Sequence, residues 1–262
     1  MAKNERKPGD KLPLLTEGGG SGRAPDAEAA AVEMPPAGEG TAGEAQPPLA
    51  ERMRPRDLDE FVGQDHVIGP GKPLRRMIAS GKIPSMILWG PPGSGKTTLA
   101  HIIARILNTQ FIYFSAVLTG IKEVRDVMSD AAYFFDKTSR QTVIFIDEIH
   151  RFNKAQQDAF LPFLEKGQVL LIGTTTVNPS FDLNAALLSR MKVFTLRNLE
   201  VDDIERILGR ALADAERGLG AKPLAFPPEL LHKIALFATG DARRGLNILE
   251  HLAVYLEERA PG

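Results

Sequence analysis

Five short apolar runs, four to six residues long, alternate with amphipathic stretches through the middle of the chain. Each run is rich in β-branched or aromatic residues, which is typical of strands buried on both faces of a parallel sheet. The runs cover residues 86–89, 110–114, 142–146, 169–174 and 192–196. Because parallel neighbours need a crossover connection, this alternation predicts repeated β–α units with right-handed connections.

Apolar residues recur at helical spacing between these runs and after the last of them. Helices are predicted over residues 97–104, 121–135 and 153–165, the last in spite of Pro162. After Glu200 only the helical period remains, with helices predicted over 201–216, from 227–228 onwards and over 241–258. The pattern predicts a three-layer α/β domain over residues 49–198, followed by a small all-α domain over residues 199–262.

The first 48 residues differ from the rest in composition. They are rich in glycine, proline, alanine and glutamate, and they contain no aromatic residue. Such a segment cannot bury enough apolar surface to offset the conformational entropy that ordering would cost. Residues 1–48 are therefore predicted to form a disordered tail.

The overall composition excludes several classes of protein. The chain of 262 residues has no cysteine, which excludes disulfides and cysteine-ligated zinc. No apolar run approaches the ~20 residues needed to span a bilayer, and no secretory signal follows the basic N-terminus. The net charge of −1 provides no global field for nucleic acid or membranes, so DNA binding would need a local basic patch. The candidate basic residues are scattered: Lys122, Arg125, Lys137, Arg140, Arg151 and Lys154.

The loop after the first apolar run carries the most specific signal. Residues 90–97, Gly-Pro-Pro-Gly-Ser-Gly-Lys-Thr, fit the P-loop pattern G-x-x-x-x-G-K-[ST] between a predicted strand and a predicted helix. Glycines let several backbone N–H groups point at phosphate oxygens, and the helix N-terminus adds partial positive charge. Lys96 is predicted to reach the β- and γ-phosphates of ATP, and Thr97 to place its hydroxyl on Mg²⁺. The predicted nucleotide contacts are Gly90, Pro91, Pro92, Gly93, Ser94, Gly95, Lys96, Thr97 and Thr98.

An acidic pair follows the third apolar run. Asp147 and Glu148 would stand at the C-terminal end of a central parallel strand, where α/β sheets bind their ligands. Asp147 is predicted to orient the Mg²⁺ shell, and Glu148 to activate the water that attacks the γ-phosphate. His150 has no metal-ligand partner at a useful spacing, and its expected role is structural or supporting.

Together these motifs resemble the AAA+ ATPases, in which a P-loop domain is followed by a small helical lid. The segments at 49–56 and 61–66 are similar to the clamp-loader and RuvB branch of that family. The strings Asp-Glu-Ile-His-Arg-Phe-Asn-Lys-Ala-Gln-Gln-Asp at 147–158 and Asn-Pro-Ser-Phe-Asp-Leu-Asn at 178–184 look closest to its replication-associated recombination (RarA, or MgsA) proteins. That group includes the eukaryotic Werner-helicase-interacting protein. The resemblance extends from about residue 48 to the C-terminus.

The resemblance implies an adenine-binding segment and a sensor residue. The positions that match the segment packed against the base are Arg54, Pro55, Val62 and Gly63. Residues 173–176 resemble the sensor 1 segment, which implies that Thr176, or alternatively Thr175, orients the attacking water.

The resemblance also implies functional roles for two arginines. Residues 187–190 resemble the Ser-Arg-Cys motif of clamp loaders, although Met191 stands in place of the cysteine. Arg190 is thereby implied to be an arginine finger that reaches the ATP of a neighbouring subunit. Residues 240–244 resemble the sensor 2 motif, which implies that Arg243 touches the γ-phosphate from the lid.

The resemblance further implies what the protein does. A DNA-dependent ATPase would use ATP and Mg²⁺ at a subunit interface to remodel DNA at stalled or gapped replication forks. DNA and single-stranded-DNA-binding protein are the implied partners of a homo-oligomer without membrane contact, located in the cytoplasm, or at the nucleoid in a bacterium. Family members continue into a C-terminal oligomerisation domain, and because the chain stops at Gly262 this domain is expected to be missing.

Two other functions stay open at this point. A clamp-loader subunit or a RuvB-like branch-migration motor would use the same machinery on a different substrate. A nucleotide-dependent binding switch would hydrolyse little or no ATP. The intact Glu148 argues against a switch, whereas the expected absence of the oligomerisation domain argues for it.

Overall fold

The computed structural model describes residues 46–116, 120–222 and 224–259. The predicted disordered tail covers residues 1–48, and all of it except the last three residues lies outside the described residues. Within the described part, no helix combines the length and the apolar character that crossing a membrane requires.

In the described part of the chain, five strands form one parallel sheet, as the apolar runs predict. They are β1 (Met86–Trp89), β2 (Phe111–Ser115), β3 (Thr142–Asp147), β4 (Val169–Thr175) and β5 (Lys192–Thr195). Their order is β2-β3-β4-β1-β5, and every neighbouring pair is parallel. The predicted strand ends differ from the observed ones by one residue at most.

Helices form the remaining regular structure. Before the sheet lie α1 (Leu49–Arg52), α2 (Asp65–Ile68) and α3 (Pro73–Ala79). Between the strands lie α4 (Lys96–Leu107), α5 (Ile121–Thr138), a 3₁₀ turn (Ile149–Arg151), α6 (Lys154–Asp158), α7 (Leu161–Glu165), α8 (Pro179–Asp182) and α9 (Ala185–Leu188). The sheet is followed by α10 (Val201–Ala213), α11 (Pro228–Ala238) and α12 (Ala242–Arg259), and the described part of the chain from Leu199 onwards is called the lid below.

The prediction of a single helix over residues 153–165 is wrong, because two helices, α6 and α7, occupy this segment. Asn153 begins α6 with a capping box, in which its side chain accepts from the Gln156 N–H and the Gln156 side chain accepts from the Asn153 N–H. Pro162 stands in the first turn of α7. Proline lacks the N–H that would bond the carbonyl four residues back, and its ring collides with that carbonyl. The first helix therefore ends at Asp158, four residues before the proline.

Alternating residues of the central strands bury an apolar layer on each face of the sheet. Leu88 and Phe145 pack on the face covered by α4, and Ile87 and Ile144 pack on the face covered by α5. All four side chains are fully buried. The three-layer α/β architecture is therefore confirmed.

A third apolar cluster holds the lid helices together and includes the first helix of the described chain. Leu49 and Met53, at the two ends of α1, are buried in this cluster. The Leu49 N–H also donates to Glu250 Oε1 of α12 at 2.8 Å. The predicted helical C-terminal region is confirmed, and the segment that opens the predicted α/β domain packs into it.

His101 of α4 packs against aromatic side chains of the sheet. Its ring centroid lies 5.1 Å from that of Phe111 and 6.0 Å from that of Phe145. Burial lowers the pKa of His101 from 6.5 to about 4, and the charge of Arg54 acts in the same direction. The folded protein therefore keeps this imidazole neutral at a pH where the unfolded chain protonates it.

We expect the free energy of unfolding to fall as the pH falls from 6.5 to about 4, because only the unfolded chain binds a proton at His101 over this range. The loss attributable to this residue is at most ~3 kcal/mol. Urea denaturation of wild type and of His101→Phe between pH 6.5 and about 4 measures this loss of the free energy of unfolding. Substitution of the exposed His251 by phenylalanine is the matched control. If His101→Phe loses stability as steeply as wild type, the expectation is wrong.

Candidate functional site

The C-terminal edge of the sheet opens into a cleft shared with the N-terminal segment and the lid. The P-loop and the ends of β3 and β4 contribute polar groups to it, including Asp147, Glu148 and Thr176. The N-terminal segment and the lid contribute mostly apolar groups: Pro55, Phe61, Val62, Leu199, Ile207 and Leu246. Such a cleft suits a ligand with one apolar half and one charged half.

Two glycines of the P-loop occupy positions that exclude a side chain. Gly93 and Gly95 have φ angles of 69° and 95°, in the left-handed region that favours glycine. A Cβ on Gly95 would lie 2.6 Å from Phe61 Cζ, and a Cβ on Gly93 would collide with the Asp241 carboxylate. The N-terminal segment and the lid therefore both touch the P-loop directly.

Lys96 begins helix α4 and is largely buried. Its Nζ donates to the carbonyl oxygens of Gly90 at 2.9 Å and Pro91 at 2.8 Å. Burial lowers the pKa of this ammonium, whereas the carboxylates of Glu148 and Asp147 act in the opposite direction. A phosphate would offer the ammonium charged acceptors, which bind it more strongly than neutral carbonyls do.

A threonine of β4 holds the acidic pair at the end of β3. Thr174 Oγ1 donates to Asp147 Oδ1 at 2.5 Å and accepts from the Glu148 N–H at 3.2 Å. Glu148 has a φ of 53°, which turns the chain directly after the strand. The sequence alone does not single out Thr174 among three consecutive threonines, because only the strand pairing decides which one faces the acids.

Two oxygen donors suited to Mg²⁺ line the same cleft, the hydroxyl of Thr97 and the carboxylate of Asp147. Mg²⁺ prefers such hard oxygen ligands and usually completes its octahedron with water and substrate phosphates. The described residues contain no cluster of three or more His, Cys, Asp or Glu that could hold a metal by itself. Thr97 and Asp147 therefore fit a metal shared with bound phosphates.

A hydrogen-bond network links the Glu148 carboxylate to the end of β4. Thr176 Oγ1 donates to Glu148 Oε2 at 3.3 Å, and His150 Nδ1 lies 3.2 Å from the same oxygen. Thr175 Oγ1 lies 2.9 Å from His150 Nδ1. Thr176, the predicted sensor 1 residue, thus lines the cleft beside the predicted base, whereas its alternative Thr175 is buried against His150.

The N-terminus of α12 meets the P-loop across the cleft. Asp241 caps this helix by accepting from the Arg244 N–H at 3.1 Å. The N–H of Ala242, the residue after Asp241, donates to the Gly93 carbonyl at 3.4 Å. Arg243, the predicted sensor 2 residue, lines the cleft from this turn.

Arg190 does not line the cleft of its own chain. Its guanidinium donates to Glu165 Oε1 at 2.5 Å and to the Ala186 carbonyl at 2.7 Å. This placement is compatible with an arginine that acts on a neighbouring subunit, and that role stays a prediction.

The predicted base-binding and loop residues divide into two groups. Arg54, Pro55, Val62 and residues 92–98 line the cleft, whereas Gly63, Gly90 and Pro91 do not. Gly63 instead packs on the lid, where a Cβ would lie 2.6 Å from Leu199 Cδ2. The carbonyls of Gly90 and Pro91 hold Lys96, so these residues support the lining ones.

Eight residues of the lining are absent from the predicted site: Ala50, Met53, Phe61, Leu199, Ile207, Arg210, Ala242 and Leu246. Phe61 lies against Gly95, and Arg210 of α10 donates to the Glu60 carbonyl at 2.5 Å. Burial lowers the pKa of Arg210. Phe61 opens the segment at 61–66 that resembles the clamp-loader and RuvB branch, whereas Arg210 has no such signal. Both contacts depend on how the N-terminal segment packs between the P-loop and the lid.

The scattered basic residues do not converge on one surface. Helix α5 connects the end of β2 to the start of β3, so it runs from the C-terminal edge of the sheet to the N-terminal edge. Lys122, Arg125, Arg151 and Lys154 lie at the edge that carries the cleft, and Lys137 and Arg140 lie at the opposite edge. Any DNA contact near the cleft would therefore draw on the first group.

Comparison with known proteins identifies related sequences. The family described as "ATPase family associated with various cellular activities (AAA)" matches residues 86–199. Replication-associated recombination protein A of Coxiella burnetii is 56% identical over 212 residues, which cover 80% of this chain and 48% of that protein. ATPase WRNIP1 of Dictyostelium discoideum is 42% identical over 203 residues, covering 78% of this chain and 23% of that protein. The chain spans about half the length of the replication-associated recombination proteins that it matches.

Solved structures give a consistent result. The Thermotoga maritima RuvB Holliday junction branch migration motor matches with a TM-score of 0.63 and 30% sequence identity. The match covers 79% of this chain and 67% of that chain. Sheet, P-loop and lid therefore share the fold of a RuvB-type ATPase.

Substitution of Gly93 by alanine should disrupt the contact between P-loop and lid. We expect Gly93→Ala to weaken nucleotide binding at least ~10-fold, since the Asp241 carboxylate and backbone must move to make room for the Cβ. Gly81→Ala is the matched control, because Gly81 has a similar φ of 66° but no atom within 4 Å of a Cβ.

The control isolates the backbone cost of a side chain at positive φ, which is about 1–2 kcal/mol. Urea denaturation measures the stability of each variant, and titration with a fluorescent ATP analogue measures its affinity for nucleotide. Equal losses of stability and equal affinities for the two variants would contradict the expected collision with Asp241.

Proposed function

The chain belongs to the AAA family of ATPases, and on that premise we propose that its cleft binds ATP with Mg²⁺ and hydrolyses the γ-phosphate. One observation carries the proposal: Lys96 and Thr97 of the P-loop share a single cleft with Asp147 and Glu148. A phosphate-binding loop and an acidic pair are the two parts that phosphoryl transfer to water requires.

Each polar residue of the cleft has a separate task in this proposal. Lys96 binds the β- and γ-phosphates, and Thr97 and Asp147 hold Mg²⁺, which screens the phosphate charge. Glu148 accepts a proton from the attacking water, a general-base contribution of ~10²–10⁴ in rate. Thr176 orients that water, which its hydrogen bond to Glu148 Oε2 supports.

The apolar half of the cleft takes the adenine, with Arg54, Pro55 and Val62 against the base. Arg243 contacts the γ-phosphate from α12 and couples the nucleotide state to the position of the lid. The direct contact between Asp241 and Gly93 supports such coupling. In this proposal residues 49–198 form the ATPase domain and residues 199–262 the lid, with α1 joining the two.

Arg190 completes the site of a neighbouring subunit. An arginine finger supplied in trans neutralises charge that develops on the phosphate and can contribute ~10³–10⁵ in rate. The position of Arg190 outside its own cleft supports this assignment. Catalysis then depends on homo-oligomer formation.

The work driven by hydrolysis is the remodelling of DNA at stalled or gapped replication forks, in the cytoplasm or at a bacterial nucleoid. The similarity to replication-associated recombination protein A and to ATPase WRNIP1 supports this part of the proposal. DNA stimulates the ATPase, and single-stranded-DNA-binding protein is the expected partner. The chain spans about half the length of those relatives, so the proposed DNA substrate and partner rest on similarity over that half alone.

A branch-migration motor is the second candidate. The structural similarity to the Thermotoga maritima RuvB Holliday junction branch migration motor favours it. The two candidates share the ATPase site and differ in the DNA that stimulates it, which is a fork or gap for the first and a four-way junction for the second.

Steady-state ATP hydrolysis tests the site and its substrate together. We expect turnover to rise with single-stranded or forked DNA, and to fall ~10²–10⁴-fold in Glu148→Gln because the attacking water loses its base. Arg190→Ala should fall at least as far, whereas Arg206→Ala, which breaks an exposed ion pair with Asp203 on the lid, should not. Stimulation by a four-way junction alone would favour the second candidate.

Mixing the two inactive variants tests whether the finger acts in trans. In a mixture, Arg190 of a Glu148→Gln subunit can serve the intact Glu148 of an Arg190→Ala subunit. We expect the mixture to regain part of the wild-type turnover. If wild type binds ATP but turns over no faster than Glu148→Gln on any DNA, the chain is a nucleotide-dependent switch and the proposed hydrolysis is wrong.

A further inference from the structure

His150 lies beside the acidic pair, and the function proposed above gives it no task. Its Nδ1 is 3.2 Å from Glu148 Oε2 and 2.9 Å from Thr175 Oγ1. We propose that His150 is a positioning residue whose Nδ1–H, oriented by the Thr175 hydroxyl, fixes the carboxylate of the general base. This inference rests on the proposed ATP hydrolysis in the cleft.

The hydrogen bonds around Thr175 decide which imidazole nitrogen carries the proton. The Thr175 hydroxyl donates to the Val177 carbonyl at 3.3 Å and accepts from the Val177 N–H at 3.2 Å. With its proton on the Val177 carbonyl, the hydroxyl can act as an acceptor toward His150. The Glu148 carboxylate can only accept, so in the proposed arrangement Nδ1 carries the proton that faces both oxygens.

Two donors on one oxygen restrict where the Glu148 carboxylate can lie. Its Oε2 accepts from Thr176 and lies 3.2 Å from His150 Nδ1, while Oε1 takes no hydrogen bond from the described residues. The side chain is 29% exposed and follows a sharp backbone turn, so packing alone leaves its rotamer free. In this proposal the hydrogen bond from Thr176 and the Nδ1–H of His150 together supply the missing restraint and leave one oxygen for the attacking water.

The same network reaches the P-loop through the backbone of Thr175. The Gly90 N–H donates to the Thr175 carbonyl at 3.1 Å, and Thr175 pairs with Trp89 at the end of β1. His150 therefore connects the first residue of the P-loop with the general base through a single threonine. A change at the loop on nucleotide binding can thus reach Glu148 without passing through the lid.

Kinetics of two substitutions at His150 test the positioning role. His150→Ala removes the donor, and we expect kcat to fall ~10–100-fold while KM for ATP changes by less than ~3-fold, because a misplaced base affects chemistry more than binding. His150→Asn can present an amide N–H at the position of Nδ1 and should recover most of the loss. His232→Asn is the matched control, since His232 also faces a carboxylate, that of Glu205 at 2.5 Å, on the exposed surface of the lid.

A spectroscopic measurement tests the proton assignment without turnover. Long-range ¹H–¹⁵N correlation at about pH 8 distinguishes the two neutral imidazole tautomers, and the His150 signals are assigned by their absence in His150→Asn. We expect Nδ1 to be protonated in wild type, and Thr175→Val to shift the population toward the Nε2–H tautomer.

The outcomes separate this inference from the function on which it rests. A wild type without ATP turnover overturns the proposed function, and the positioning role with it. If wild type hydrolyses ATP, an Nε2–H tautomer overturns the positioning role alone. The positioning role alone is also overturned if kcat is unchanged in His150→Ala, or if kcat falls as far in His150→Asn as in His150→Ala.

Discussion

The in-register parallel pairing of β1, β3 and β4 is the constraint on which the candidate site depends. Trp89 pairs with Thr175, and Ile146 pairs with Gly173, so all three strands end at nearly the same level. Asp147 therefore lies level with Thr174 and accepts a hydrogen bond from the Thr174 hydroxyl at 2.5 Å. A shift of one residue in either pairing would turn alternate side chains to the other face of the sheet and separate the threonines from the acids.

A second constraint is the close approach of three backbone segments at the P-loop. The N-terminal segment touches Gly95 through Phe61, and the lid touches Gly93 through Asp241. Both contacts exist only because the glycines lack a Cβ. The cleft is therefore built from parts of the chain that are distant in sequence, and its apolar half belongs mainly to segments outside the sheet. Burial of α1 in the lid core keeps two of these segments together.

Charge is arranged unevenly around the cleft. Lys96 is buried with two carbonyls as acceptors and the carboxylates of Asp147, Glu148 and Asp241 nearby, so the energetic cost of burying its charge is only partly offset within the chain. Arg243 faces the cleft, whereas Arg190 is held outside it by Glu165. A polyphosphate would balance the positive side of this arrangement, and a neighbouring subunit would be needed to bring the second arginine to it.

The elements with a strong local signal can be predicted from the amino-acid sequence. Five strands, the glycine-rich loop and the acidic pair follow from apolar runs and residue spacing, and the predicted strand ends agree with the structure to within one residue. The expected burial does not hold for β5, which lies at the sheet edge with three of its four residues exposed. The prediction of one helix over residues 153–165 is wrong, because the helical periodicity of apolar residues continues through Pro162 although the backbone hydrogen bonds of a helix cannot continue there. Three features of the site follow from the folded structure alone: which of three consecutive threonines faces which acid, the entry of Phe61 and Arg210 into the cleft, and the contact between Asp241 and Gly93. These contacts join residues far apart in the chain, and their geometry depends on strand register and domain packing, which no local pattern encodes.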